Sequence, residues 1–204
     1  MRLVLASASP RRAELLQAAG YSFHVVAPDV DETRRANEPA AEYVRRLAVE
    51  KGIAASASTA RTGHNDDGAV FLAADTVVVV DGDILGKPRD DRDATGMLTR
   101  LSGRWHEVVT GVSVRSGAHE TGAVALTRVE FAQLSASEIE WYVTSGEGYD
   151  KAGAYAIQGL ASRFIPRIEG SYANVVGLPT ALVRELLKSF ETRYSDRGIS
   201  RKSL

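Results

Sequence analysis

The sequence predicts an α/β fold in which helices flank a mixed central sheet, and three observations carry that expectation. Apolar runs of strand length, "AVFLAA" and "VVVV" among them, alternate with segments of helical periodicity such as Glu38–Ala57. Two hairpin signals lie between the helical segments, one at Asp81–Gly82 and a longer one turning at Ser116–His119. Hairpins interleaved with helices argue against a purely parallel sheet. The third observation is bulk: 204 residues, 44% hydrophobic and 25% charged, form an ordinary globular composition with enough chain to bury a sizeable core. One domain is expected over 1–194, followed by a polar C-terminal tail at 195–204.

Taken in order, Arg2–Ala6 reads as a short buried strand. Ser9 and Pro10 then start a helix, because a hydroxyl can cap and the proline ring already holds a helical φ. That helix runs to Ala19 and closes at Gly20. Phe23–Val26 is a second strand, and Glu38–Ala57 a helix with Tyr43, Val44, Leu47 and Ala48 on one face. Residues 58–68 are polar and punctuated by glycine, which predicts a surface loop. "AVFLAADTVVVVDGDIL" gives two β runs around Asp75 and then the first hairpin, and places Asp75 at the sheet rim. Arg92–Leu101 is helical and stops at Ser102–Gly103; the long hairpin follows. Ser135 with Glu138 spells a capping box for a helix through Val143. Arg163–Ile168 is strand-like, and Pro179–Phe190 is a terminal helix.

Composition excludes several chemistries. A net charge of −1 offers no global field for nucleic acid or an acidic membrane, so a basic site must be local. With no cysteine, thiolate nucleophiles, disulfides and Cys-ligated metals are ruled out. No apolar run approaches a membrane span or a signal segment, which leads to the expectation of a cytoplasmic protein. Gly82 to Lys87 imitates a phosphate loop but has three residues between its glycines instead of four, and Pro88 stands where Ser or Thr belongs. No G-x-S-x-G, H-E-x-x-H or G-x-G-x-x-G is present. Of the four histidines, His64 and His119 fall in expected loops, and His106 opens a strand as a structural residue.

What remains is a set of cations and acids. Ser7, Ser9, Arg11 and Arg12 surround a helix start, where free N–H groups favour an anion. Two arginines there oppose the helix dipole, so they read either as phosphate ligands or as solvated side chains lying on their aliphatic stems. Lys87 and Lys51 read first as water-facing lysines, and Lys151 sits among glycines that would let a ligand approach the backbone. Asp75, inside an apolar run, must be paired, hydrogen-bonded or bound to metal. Asp31 and Glu32 follow the second strand as an acidic turn. Carboxylates opposing several cations are what a Mg²⁺-dependent phosphate enzyme requires.

Eight segments, in order, resemble the Maf or septum-formation-inhibitor family: "LASASPRR", "DE" at 31–32, "RLAVEKG", "AADTVV", "GKP", "LSGRWHEVVTG", "SGEGYDKAGAYAIQG" and "IEGSYANVVGLP". The resemblance implies an elongated, two-lobed fold like that of inosine triphosphate pyrophosphatases, with a cleft between the lobes. It implies a nucleoside triphosphate pyrophosphatase that uses Mg²⁺ or Mn²⁺, and a homodimer. By the same resemblance Ser7, Arg11 and Arg12 would hold the triphosphate with Lys51 and Lys87, while Glu32 and Asp75 would bind metal. Asp75 would also activate water, with Glu32, Lys51 and Arg12 completing the catalytic set, and Lys151 and Gln158 would close the far side. The form "DKAGAYAIQG" resembles the branch acting on dTTP, UTP and modified pyrimidine nucleotides. Gln158 suits it, because an amide both donates and accepts and so matches the edge of uracil or thymine. Alternatives are the same chemistry on 7-methyl-GTP or inosine triphosphate, or a nucleotide-binding regulator of septum formation without turnover.

Overall fold

A computed structural model describes residues 2–61 and 68–195. The chain runs β1 (Arg2–Ala6), α1 (Pro10–Ala18), β2 (Phe23–Val26), α2 (Ala40–Arg61), β3 (Ala69–Val80), β4 (Asp83–Leu85), α3 (Asp91–Leu101), β5 (Trp105–Ser116), β6 (His119–Glu130), α4 (Ala136–Thr144), β7 (Arg167–Glu169), α5 (Tyr172–Val176) and α6 (Thr180–Ser195). Short 3₁₀ turns at Ala152–Ala154 and Leu160–Phe164 lie between α4 and β7. The seven strands form one sheet in the order β2-β1-β3-β5-β6-β7, with β4 also paired to β3. β1 is parallel to β2 and β3, and every other pairing is antiparallel, so the sheet is mixed as the sequence predicts.

Local chemistry accounts for most boundaries. Asp81 and Gly82 both take positive φ (53° and 80°), the requirement of a two-residue hairpin turn between β3 and β4. Asp90 caps α3 by accepting from Asp93 N at 2.7 Å, and Ser135 with Glu138 closes a reciprocal capping box on α4. Ser9 stands at the N-cap of α1, but its hydroxyl makes no cap hydrogen bond; Pro10 in the first turn, with its φ already helical, favours the start.

Several expectations are corrected. α2 extends to Arg61, so residues 58–61 are helical and not loop, and 62–67, with His64, lie outside the described residues. Residues 163–168 are not one strand: Arg163 and Phe164 end a 3₁₀ turn, and only Arg167 and Ile168 enter the three-residue β7. α5 was not anticipated. Asp75 is not at the rim: β3 is one unbroken strand of twelve residues, and Asp75 sits in its middle, opposite Gly111 of β5. The tail from residue 196 onward lies outside the described residues.

The cores explain why that position matters. On one face of β3, Val70, Leu72 and Ala74 pack with Leu16 of α1 and Val183 and Leu187 of α6. Further along the same face, Val78 and Val80 pack with Leu98 and Leu101 of α3 and Ile139 and Tyr142 of α4. On the opposite face, beneath α2, Phe71 and Ala73 join Ala55, and Val77 and Val79 join Val44. Asp75 and Thr76 therefore divide the apolar packing on both faces, and a cleft opens where it is divided.

Candidate active site

The cleft is about 570 Å³, within the size range of small-molecule sites. Its floor is built from three elements. Asp75 projects from β3 toward α2, and Lys51, two turns after Val44, reaches down from that helix. Lys51 Nζ lies 2.6 Å from Asp75 Oδ1 and 2.7 Å from Glu32 Oε1. The expectation that Lys51 faces water is overturned, since it is 9% exposed and bridges two carboxylates. Burial pushes the Asp75 carboxyl above its ordinary pKa despite Lys51 and Arg12 nearby. Partial burial also raises Glu32, but its hydrogen bond to Lys51 and the surrounding cations outweigh this and hold it below the usual value.

The loop that carries Glu32 is tied to α2 at several points. Arg46 donates to both oxygens of Glu38 (2.6 and 2.8 Å), to Glu50 (3.1 Å) and to the carbonyl of Thr33 (3.2 Å). The two Glu38 bonds form the two-pronged pairing that suits a guanidinium. Arg34 donates twice to the Glu38 carbonyl, and the Tyr43 hydroxyl donates to the Glu32 carbonyl at 2.7 Å. Burial and the nearby carboxylates push the Tyr43 phenol up to about 12, so it remains a donor at neutral pH. None of Glu38, Arg46 or Tyr43 was singled out from sequence, although Arg46 lies within "RLAVEKG" and Tyr43 was assigned to the apolar face of its helix.

Cations line the opposite wall. Arg12 is wholly engaged: Nε donates to the Gly177 carbonyl at 2.8 Å, Nη1 to Ala74 O at 2.8 Å and Ser7 Oγ at 3.3 Å, and Nη2 to Thr76 Oγ1 at 3.1 Å. Burial lowers its pKa. It therefore anchors α1 to β3 and to the segment after α5 while presenting its charge to the cleft. Arg11 is looser, and pairs at 3.1 Å with Asp150, which also pairs with Lys151 at 2.5 Å. Burial raises Asp150, but its bonds to Lys151 and Arg11 dominate and hold it down to about 2. Lys87 lines the cleft from the exposed turn after β4. Ser7 is buried, with its hydroxyl accepting from Ser9 N at 3.2 Å.

The far end is less polar. Val108, Tyr155, Ala156, Ile157 and Val175 line it, with Gln158 exposed at the margin. Tyr155 OH lies 2.7 Å from Nε2 of buried His106, the partner that sequence alone left unidentified. The structure thus brings all nine expected residues, Ser7, Arg11, Arg12, Glu32, Lys51, Asp75, Lys87, Lys151 and Gln158, to one cleft. It adds Asp150, Thr76 and Tyr155, which sequence reasoning had not selected.

Chemically, the arrangement sets two carboxylates against four basic side chains across a space sized for a nucleotide. No group of three or more His, Cys, Asp or Glu is placed to hold a metal ion among the described residues. Two carboxylates nonetheless fit a hard divalent cation that completes its shell with water and substrate phosphate oxygens. Lys51 engages Oδ1 of Asp75 and Oε1 of Glu32 and so holds the two carboxylates near one another.

The Maf-like protein family model matches residues 2–190. A dTTP/UTP pyrophosphatase of Hahella chejuensis is 51% identical over 189 residues, covering 93% of this chain and 92% of that protein. The dTTP/UTP pyrophosphatase of Vibrio cholerae is 51% identical over 189 residues, covering 93% and 98%. That of Myxococcus xanthus is 52% identical over 186 residues, covering 91% of each. Among solved structures, the Staphylococcus aureus Ham1 protein aligns with a TM-score of 0.46 at 15% identity, over 95% of this chain and 100% of that one.

Proposed function

The chain belongs to the Maf-like protein family, and on that premise we propose that it hydrolyses dTTP and UTP to the nucleoside monophosphate and pyrophosphate. The observation that carries the reading is the Glu32–Lys51–Asp75 bridge facing Arg11, Arg12, Lys87 and Lys151 across one cleft. Modified pyrimidine nucleotides belong to the same substrate class. The chain is proposed to act as a cytoplasmic homodimer on free nucleotides, a reading that rests on the family resemblance.

In this reading a water oxygen attacks the α-phosphorus, and the bond from that phosphorus to the bridging oxygen breaks. The departing proton of the water passes to Asp75, whose proton affinity burial has raised. Lys51 holds the Asp75 and Glu32 carboxylates side by side, so both face the same reacting region. Glu32 and Asp75 would hold a divalent cation, Mg²⁺ or Mn²⁺, which when bound supplies charge neutralisation to phosphate oxygens. Arg11, Lys87 and Lys151 face the negative charge that grows on pyrophosphate as it leaves. No covalent nucleophile is needed, in keeping with a chain that has no cysteine.

The test is a panel of nucleoside triphosphates assayed with Mg²⁺ and with Mn²⁺, with products resolved. Pyrophosphate and monophosphate released preferentially from dTTP and UTP are expected. Orthophosphate as the product, or tight nucleotide binding without turnover, would refute the assignment and favour a non-hydrolytic regulator.

A further inference from the structure

We infer that Glu147 is a positioning residue for nucleobase selection, a role that rests on the reading of Lys151 and Gln158 as substrate contacts. The segment from Ser145 to Ala161 leaves α4, passes the cleft and returns to the core, and it carries both of those residues. Its two ends meet at Glu147. The Tyr142 hydroxyl, buried in α4, donates to Glu147 Oε2 at 2.8 Å. Leu160 N donates to Oε1 at 2.9 Å and Ala161 N to Oε2 at 3.3 Å. The backbone carbonyl of the same glutamate accepts from Lys151 Nζ at 2.6 Å. One residue thus holds Lys151 through its main chain and the far end of the segment through its carboxylate.

Gly159, next to Gln158, is shaped to this contact. Its φ is 111°, and a Cβ there would lie 2.1 Å from Glu147 Oε1. The carboxylate therefore packs directly on the backbone that aims Gln158. The middle of the segment is fixed separately, because Gly153 N donates to the Gly86 carbonyl at 3.0 Å beside Lys87, and Ala156 N donates to the Tyr142 hydroxyl at 3.1 Å. Tyr142 accordingly links the carboxylate to the wall that Tyr155 and Ala156 form at the apolar end of the cleft.

Three donors converge on the two oxygens of Glu147, and a carboxylate accepts on both. Glutamine has the same shape but only one acceptor oxygen, so its amide must turn N–H toward at least one donor. The Glu147→Gln change should therefore release the Leu160–Ala161 end and blur the placement of Gln158. It leaves Asp75, Lys51 and Glu32 untouched, since these belong to β3, α2 and the loop after β2. A residue that only stabilised the fold would lower active enzyme without altering substrate preference.

The experiment compares wild type and Glu147→Gln in full-length protein, with kcat and KM for dTTP and GTP and equilibrium binding of a non-hydrolysable dTTP analogue. The KM for dTTP and the analogue Kd are expected to rise about tenfold, the loss of one hydrogen bond to a charged group, while kcat stays within about twofold. The preference for dTTP over GTP should fall with them. A folded variant that keeps the wild-type KM and preference overturns the role. If Glu147→Gln does not fold, Tyr142→Phe removes one donor to the carboxylate. It should shift KM and preference in the same direction, and no shift there overturns the role equally. Wild-type protein that turns over neither dTTP nor UTP defeats the pyrophosphatase reading and this inference with it. Active wild type with an indifferent variant defeats this inference alone.

Discussion

Asp75 and Gly111 face each other across the β3–β5 ladder, and the missing side chain of the glycine is what brings α2 down onto the carboxylate. A Cβ at position 111 would lie 2.3 Å from the Val44 carbonyl and 2.7 Å from Arg45 N, both backbone atoms of α2. Lys51 can reach Asp75 because the helix is this close to the sheet. Gly111→Ala should push α2 outward, with a destabilisation of about 1–3 kcal/mol as in overpacked interiors. Urea unfolding should register that loss, and turnover should fall with it. A variant as stable and active as wild type would show that α2 tolerates the extra methyl group.

Asp75→Asn keeps the shape of the side chain and removes its ability to accept a proton at neutral pH. Turnover should fall by about 10²- to 10⁴-fold, the usual contribution of a positioned general base. Nucleotide binding, measured calorimetrically, should survive. Near-normal turnover would assign the proton to another group.

The two adjacent arginines should behave differently. Arg12 donates to two backbone carbonyls and two hydroxyls, so Arg12→Ala leaves buried acceptors unpaired and should destabilise by about 1–3 kcal/mol. Arg11 pairs with Asp150, with its side chain 27% exposed, and Arg11→Ala should leave the melting temperature nearly unchanged while raising KM. Equal effects on stability from the two substitutions would contradict this division.

His106 makes the stability pH-dependent. It is 2% exposed, and burial holds its pKa down to about 4, against 6.5 for the free side chain. The unfolded chain takes up this proton first as the pH drops. The contribution is therefore fully present above about pH 6.5 and is lost as the pH falls toward 4, by about 3 kcal/mol in all. Denaturant titrations at pH 7.5 and 4.5 should show wild type losing more stability than His106→Gln across that interval. Parallel losses in the two proteins would mean that other groups control the acid limb.

Much of the fold was legible because it depends on local chemistry. Strand and helix periodicities, the Asp81–Gly82 turn and the Ser135–Glu138 box act over a few residues, and the structure places them close to where the sequence does. What was misread depends on contacts remote in sequence. A carboxylate that interrupts an apolar run reads as a strand end at Asp75, but a β ladder is made by the backbone and continues through it. Lys51 reads from sequence as water-facing, since periodicity does not tell which flank of a helix another element covers. Two of the four partners of Arg12 are main-chain carbonyls, of residues 74 and 177, and no side-chain pattern announces a carbonyl. His106 and Tyr155 are 49 positions apart, and only the fold joins them.

The division of the apolar packing at Asp75 and Thr76 also bears on how such a molecule can be altered. The residues that separate the packed layers are held by strand pairing to Gly111 and Thr110, not by the layers themselves. The cleft rests on a rail of main-chain hydrogen bonds that is indifferent to what fills the space above it. Side chains at the apolar end, such as Val175 and Ile157, lie off that rail, and a change in them leaves the pairing of Asp75 with Gly111 and of Thr76 with Thr110 in place. The lining there is upholstery, fitted to a frame that the backbone has already drawn.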